Sequence, residues 1–521
     1  MGDGGTSGGV RRLAPVTSRD PRVAHSSFGA LLLLCCALTA GCAVAPGRAT
    51  FADRNEECRE VFRVVDEEIA AAGVEDGMAA RVAGFPYLRA SRFLASYAGA
   101  ALTEAQFAEW MGRMIALGAE AYSVELANLP AGHGEALVQR LPDAARRHGS
   151  PGPALVECAA RLGAADRADP ERRAELAAAV SVPDDYATWH RVAGLYWLTR
   201  LPFAKGVRDW HDEVRATYSL PLDALPVRGE LKRYAPPAGG LSASEVAAVL
   251  RRSSGNPLGI PDPRGADREA LFRTFAPEFT VDTAAAADAP GELGWREDGA
   301  VAVVSRAPVV YRRISHARRG AEVLLQLNYW LWFPERPKGA GWDILGGRLD
   351  GVLWRVTLGP DGAPWVFDSI HACGCYHMFF PTAGAAPRPQ PQSLDETSFV
   401  PQALPRLAAG ERIAVRIESG THYLQRVVPR AAPAPYALEY VFAEDDALRS
   451  LPLPGGGRRS AFRPDGIIAG SERGERWLFW PMGVPEPGAM RQWGRHATAF
   501  VGRRHFDDPW LIERYFALDQ P

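Results

Sequence analysis

Four residues with soft donor atoms alternate along one short stretch of the chain, His371-Ala372-Cys373-Gly374-Cys375-Tyr376-His377. Imidazole and thiolate together suit Zn²⁺ or Cu⁺. Two cysteines this close can instead work as a dithiol or close as a disulfide. In an unbroken strand the four would share one face, but at about 6.6 Å per i, i+2 step they would spread over about 20 Å, too far for one ion. Gly374 offers the remedy, because glycine permits the tight bend that would let two or three of them converge. His422 could then supply a fourth ligand from a neighbouring hairpin. Asp368, just upstream, is placed to act as a general base or as a carboxylate behind a ligand; Asp350 is a further candidate. Three chemistries compete. A metal centre on His371, Cys373, Cys375, His377 and His422, with Asp368 as base and a metal-bound water as nucleophile, would be a hydrolase. A pair Cys373/Cys375 would be a thiol-redox centre, and the third reading is structural thiols. Cys-x-Cys is not a standard zinc spacing. The chain also contains no GxSxG nucleophile elbow, HExxH, P-loop or post-strand GxGxxG motif.

The elements that must position this stretch read as β-structure. Val352 to Leu358 leads into Gly359-Pro360-Asp361-Gly362, and Trp365 to Ile370 returns. Proline presets φ and glycine supplies a positive φ, so this is a hairpin with a mechanism. Val323 to Phe333 is a long strand, Val301–Val304 and Val309–Tyr311 are shorter ones, and Arg412–Glu418 with His422–Val428 forms a second hairpin. Ten of the 14 Trp lie after residue 290. Most are core, but Trp330 and Trp332 share a strand face with Gln326 and Asn328 and are expected to be an exposed stacking platform for a glycan. Asn328 to Pro334, followed by Asp350-Gly351-x-x-Trp354-Arg355-Val356, resembles the strand pattern of necrosis-inducing-type β-sandwich proteins. That family's His-Asp-Trp-Glu metal motif is absent, so no function carries over.

Upstream, from about Ala52 to Leu250, the apolar period is helical. Thr103-x-x-Gln106 and Ser242-x-x-Glu245 are capping boxes. Phe107, Trp110, Met111, Met114 and Ile115 form one core face, and a further helix is expected from Asp184 to Arg200. Cys58 and Cys158 are the natural long-range disulfide, whose loop of about 100 residues would contribute about 4–5 kcal/mol in the chain-entropy model; two buried free thiols are the alternative. The expected fold is α+β: a helical domain over 42–255, then a β-rich, antiparallel, sandwich-like domain over 256–521.

Apolar residues are 47% and charged residues 23% of the 521, with a net charge of −2. That is globular composition without a basic stripe, which argues against nucleic acid as a partner. The uncharged run Phe28 to Ala40 is too short to span a bilayer but fits a signal-peptide core. It ends in Leu38-Thr39-Ala40-Gly41-Cys42, which resembles a bacterial lipobox; Thr39 stands where the pattern prefers Leu. The resemblance implies a signal peptide over 1–41, a diacylated Cys42, possible disulfides after export, and, with neutral Ala43, the outer membrane of a two-membrane cell. The sequence thus points to a lipid-anchored envelope protein with a binding or structural role toward a glycan or protein, with the metal hydrolase and the thiol-redox protein as alternatives.

Overall fold

The computed structural model describes residues 51–305, 307–391, 393–408, 410–431 and 436–518. Cys42 and the expected signal peptide lie outside the described residues. Helices α1 (Phe51–Ala72), α2 (Glu104–Ala127) and α3 (Pro151–Ala168) pack around a short hairpin, Ala80–Val82 with Phe85–Ala90. Phe107, Trp110, Met111 and Met114 are buried there, as the helical period requires. The Thr103/Gln106 capping box starts α2. Cys58 on α1 is disulfide-bonded to Cys158 on α3, with Cα atoms 5.1 Å apart.

The expected helix over 184–200 is two helices, α4 (Thr188–Ala193) and α5 (Tyr196–Ser219). The chain breaks at Gly194, where an added Cβ would lie 2.5 Å from Pro481, and at Leu195, whose φ is +49°. A close tertiary approach therefore stops a helix that local propensity would continue. Next come α6 (Ala243–Ser253), opened by the Ser242/Glu245 capping box, and α7 (Gly265–Phe275).

Two sheets follow. The larger contains β3 (Val309–Arg319), β4 (Glu322–Arg336), β5 (Gly347–Leu358), β6 (Pro364–His371), β7 (Met378–Pro381) and β11 (Val441–Glu444), in the order β7-β6-β5-β4-β3-β11. The smaller contains β1 (Glu230–Ala235), β2 (Glu278–Thr283), β8 (Arg412–Ile417), β9 (Leu424–Arg430) and β10 (Leu438–Glu439), in the order β9-β8-β2-β1-β10. β1 comes from the region read as helical and joins this sheet beside β2. Most neighbours are antiparallel, as expected, but β8 runs parallel to β2, β10 to β1 and β11 to β3. The fold is α+β, with helices leading into a β-rich region.

Strand alternation sorts the residues between faces. Leu325, Leu327, Tyr329, Leu331 and Phe333 of β4 face the smaller sheet and meet Phe279, Val281, Val415 and Ile417. Trp330 and Trp332 point the other way, yet they are only 1% exposed. The chain after Leu448 covers that face with Phe462, Ile468, Met490 and Phe506, and Trp493 packs edge-on to Trp330 at 5.8 Å. The exposed aromatic platform expected at Trp330 and Trp332 is therefore not formed. This cover has few regular elements, so its sequence carries no period to announce it. No helix among the described residues is long and apolar enough to cross a membrane.

Candidate functional site

The β6 strand and the loop after it decide where the candidate ligands go. His371 pairs in register with Val352, and Asp368 with Arg355. Phe333 pairs with Asp350, so Asp350 and His371 lie on the sandwich-interior face, and Asp368 lies on the opposite one. After the turn, Met378 pairs with Ser369 and returns to the interior face, leaving His377 on the side of Asp368. The sheet itself stands between His371 and His377.

Each of the three histidines lies against a carboxylate, and His371 and His422 share one. His422 Nδ1 lies 2.9 Å from Asp350 and its Nε2 lies 3.5 Å from Asp288, while Nδ1 of His371 is 3.4 Å from Asp350. Burial works against protonating His422, but Asp288 and Asp350 outweigh it and hold its pKa above the ordinary value. Burial dominates at His371, whose pKa is lowered despite Asp350. The two carboxylates thus favour a proton on His422, while burial disfavours one on the neighbouring His371. Arg473, with Nη2 3.3 Å from Asp350, completes the charge balance, and Asp350 stays ionised although buried.

Asp368 is occupied differently. Arg355 donates to it from Nε at 2.9 Å and from Nη2, and His377 Nε2 lies 2.9 Å away. The pair is fully buried and bridges two neighbouring strands. Burial keeps His377 neutral, with a pKa lowered to about 3. Asp368 does not line a cavity and is committed to Arg355 and His377, so it is not placed to take a proton from a substrate. Among the described residues, no three His, Cys, Asp or Glu side chains are grouped to hold a metal ion. The five expected ligands do not converge.

The bend at Gly374 does form. Its φ is +92°, an added Cβ would lie 2.5 Å from the Ala497 carbonyl oxygen, and its N–H donates to the His371 carbonyl at 2.8 Å. The bend brings the Cys373 and Cys375 thiols together, and both are free. The hydrogen bond from Cys375 lowers the Cys373 pKa, and Arg473 adds to this; the same bond and burial raise that of Cys375. Tyr376 and His422 hold φ values of +62° and +55°, and Leu349, next to Asp350, holds +57°. Such conformations cost about 1–3 kcal/mol each and cluster where surroundings impose them for a purpose.

The loop forms the floor of a cavity of about 610 Å³. One wall is α5, with Phe203, Val207 and Trp210; the other holds Phe479, Val484 and Phe500, with Phe479 on helix α8 (Arg476–Phe479). Tyr376 and Tyr423 stand at the floor, 4.6 Å apart, with Trp210 5.3 Å from Tyr376. Polar groups are few. Arg336 donates to the Tyr423 hydroxyl at 3.2 Å. Glu396 accepts the backbone N–H groups of Phe500 and Val501 at 2.7 and 3.0 Å. Burial pushes the Glu475 carboxyl up to about 7 against the pull of Arg473 and Arg336. An apolar cavity with a dithiol, two phenols and a carboxyl that titrates near neutrality can hold a hydrophobic molecule and exchange protons with it.

Sequence reasoning found the loop and its bend but missed the residues that complete the cavity. Glu475, Arg473 and Arg336 sit in segments with no motif. Tyr376 lies inside the motif but is not a ligand type, and α5 reads as an ordinary amphipathic helix. Compared with known proteins, the chain matches no family model, no curated protein and no solved structure.

Glu475 gives a pH test. Its native pKa lies above the ordinary glutamate value of 4.5, so the folded state holds the proton more tightly than the unfolded chain. Its contribution is favourable at low pH and is lost as pH rises from about 4.5 to about 7. Glu475→Gln should therefore be more stable than the parent at pH 8, by up to about 3 kcal/mol, with the difference shrinking toward pH 4.5. Urea melts across that range check it; a pH-independent difference would show that Glu475 does not titrate near 7.

Proposed function

We propose that this is a membrane-anchored envelope protein, lipidated at Cys42, whose folded body binds an apolar or amphiphilic small molecule in the cavity between α5 and the 371–377 loop. The anchor reading is supported by the apolar run Phe28 to Ala40 ending at Leu38-Thr39-Ala40-Gly41-Cys42. The Cys58–Cys158 disulfide is in keeping with export. The single observation that carries the binding reading is the cavity: about 610 Å³, walled by Phe203, Val207, Trp210, Phe479 and Phe500, with polar groups at the floor and also on the walls, among them His211 and Glu396. That volume falls within the size of small-molecule sites, and a largely apolar lining with a few polar groups suits an apolar or amphiphilic ligand. Chain purified from membranes should carry diacylglycerol on Cys42 and should bind the apolar probe N-phenyl-1-naphthylamine. Val207→Trp, which fills the cavity from α5, should weaken the probe at least about tenfold without lowering the melting temperature. Unchanged probe affinity would remove the cavity as the site, and an unlipidated Cys42 would remove the anchor.

A second reading, a thiol-redox protein, is favoured by the contact between the Cys373 and Cys375 thiols beside Glu475. The Cys373 thiolate would attack a substrate disulfide, forming a mixed disulfide and expelling one substrate thiolate. Cys375 would pass its proton to Glu475, and its sulfur would attack Cys373. The second substrate thiolate would then leave, with two electrons passed to the substrate. Oxidised glutathione tests this. The expected product is a Cys373–Cys375 disulfide with no bound glutathione, and Cys375→Ser should trap one glutathione on Cys373. Thiols that stay free under an oxidising glutathione buffer would exclude the reading.

A further inference from the structure

The outer edge of the cavity is unusual in what it leaves in water. Trp189, Trp197 and Trp477 are 68%, 69% and 75% exposed. Leu198, Leu201 and Leu478 are exposed beside them. These belong to α4, α5 and α8, which meet at the turn Trp480–Met482. Gly194 packs on Pro481, Arg191 donates to the Met482 carbonyl at 2.8 Å, and Phe203 lies edge-on to Phe479 at 5.1 Å. The patch is therefore one surface, not scattered side chains. It continues into the cavity, since Phe203, Leu478 and Phe479 line the space.

Cations predominate on the α4 and α5 part of this patch. From Thr188 to Arg208 the chain carries Arg191, Arg200, Lys205 and Arg208; the first carboxylate after them, Asp209, pairs with Lys205. Tryptophan and leucine on one side of a helix with Arg and Lys flanking them is the composition of a segment that lies in the headgroup layer of an anionic bilayer. Indole rings prefer that depth because they are apolar with one N–H to bond. The surface charge of anionic lipid attracts cations that carry no ion pair among the described residues, such as Arg200 and Arg208, while Lys205 is paired with Asp209 and Arg476 with Glu486. His190 packs on Trp189 and Arg476 lies over Trp477, but the side chains exposed between the indoles include Leu198, Leu201 and Leu478, which favours lipid over a glycan.

The geometry points to a second membrane contact, distinct from the expected lipid on Cys42: the α4, α5 and α8 surface docks on an anionic lipid bilayer, with the cavity mouth opening onto it. The contact needs no lipid anchor. Where Cys42 is lipidated, as proposed above, only the eight residues 43–50 separate it from α1. At about 3.6 Å per residue they hold the body within about 30 Å of the membrane, where such a surface would be used.

The test uses the full chain carrying Cys42→Ser, so that no lipid contributes, with vesicles of phosphatidylglycerol and phosphatidylcholine in equal parts or of phosphatidylcholine alone. Hydrogen exchange is followed in peptides covering 188–206 and 476–482, so that binding through the apolar run at 28–40 does not interfere. We expect both peptides to be protected by the anionic vesicles and little changed by the neutral ones. W197S/L201S/W477S should abolish the protection and weaken vesicle partition about tenfold, while its thermal melt matches the parent because the three side chains are exposed. Protection without vesicles that grows with protein concentration would mean that the patch joins two copies of the chain, and would overturn the proposal. Unchanged exchange in vesicle-bound chain would overturn it as well. Neither outcome bears on probe binding in the cavity, which is read separately with Val207→Trp.

Discussion

Asp350 is a carboxylate without solvent, and most of the candidate site is arranged by the need to balance it. Leaving such a charge uncompensated would cost several kcal/mol. Four groups answer it: the Arg473 guanidinium, the His422 ring, the His371 ring and the N–H of Gly351. Each arrives from a different part of the chain. His371 begins the cysteine loop, His422 lies at the β8–β9 turn, and Arg473 leads into α8. One buried charge thereby fixes the floor of the cavity and part of its wall. Glu475, two residues beyond Arg473, is held in an apolar setting as a consequence. The left-handed backbone at Leu349, Tyr376 and His422 is the conformational cost of bringing these groups to one point.

The larger sheet gives the complementary constraint. Because side chains alternate between faces, Asp350 and Asp368 end on opposite sides of the same sheet; Asp350 collects His371, His422 and Arg473, and Asp368 collects His377 and Arg355. A chain that looks like one ligand cluster in sequence becomes two separate charge networks, with only the two cysteines left together in the bend between them. The same alternation sends Trp330 and Trp332 away from the sandwich interior, where the C-terminal cover buries them. Trp189, Trp197 and Trp477 are left in water instead, on α4, α5 and α8.

Local signals were legible wherever local physics decides the outcome. Two capping boxes, the Gly359–Gly362 turn, the helical core stripe from Phe107 to Met114, the Cys58–Cys158 pair and the bend at Gly374 all follow from residue type and spacing. What was not legible depends on residues distant in sequence. The break between α4 and α5 comes from Pro481 pressing on Gly194. The parallel neighbours β8 and β2 are about 130 residues apart in the chain, and no periodicity signals their pairing. Glu475 and Arg473 gain their properties only from burial, which a charged segment without periodicity does not advertise. His371 and His377 could have been separated on paper by counting strand faces through the turn, but only with the turn's residue count known.

The central claim is that the space between α5 and the 371–377 loop is where the molecule meets its ligand. A photoactivatable apolar amphiphile, such as a diazirine-bearing fatty acid, tests it most directly when the cross-linked peptides are mapped by mass spectrometry. The account predicts saturable labelling on α5 around Phe203 and Val207 and on the loop around Tyr376, displaced by excess unlabelled fatty acid. Labelling spread over the surface, or concentrated on segments outside the cavity, would contradict it.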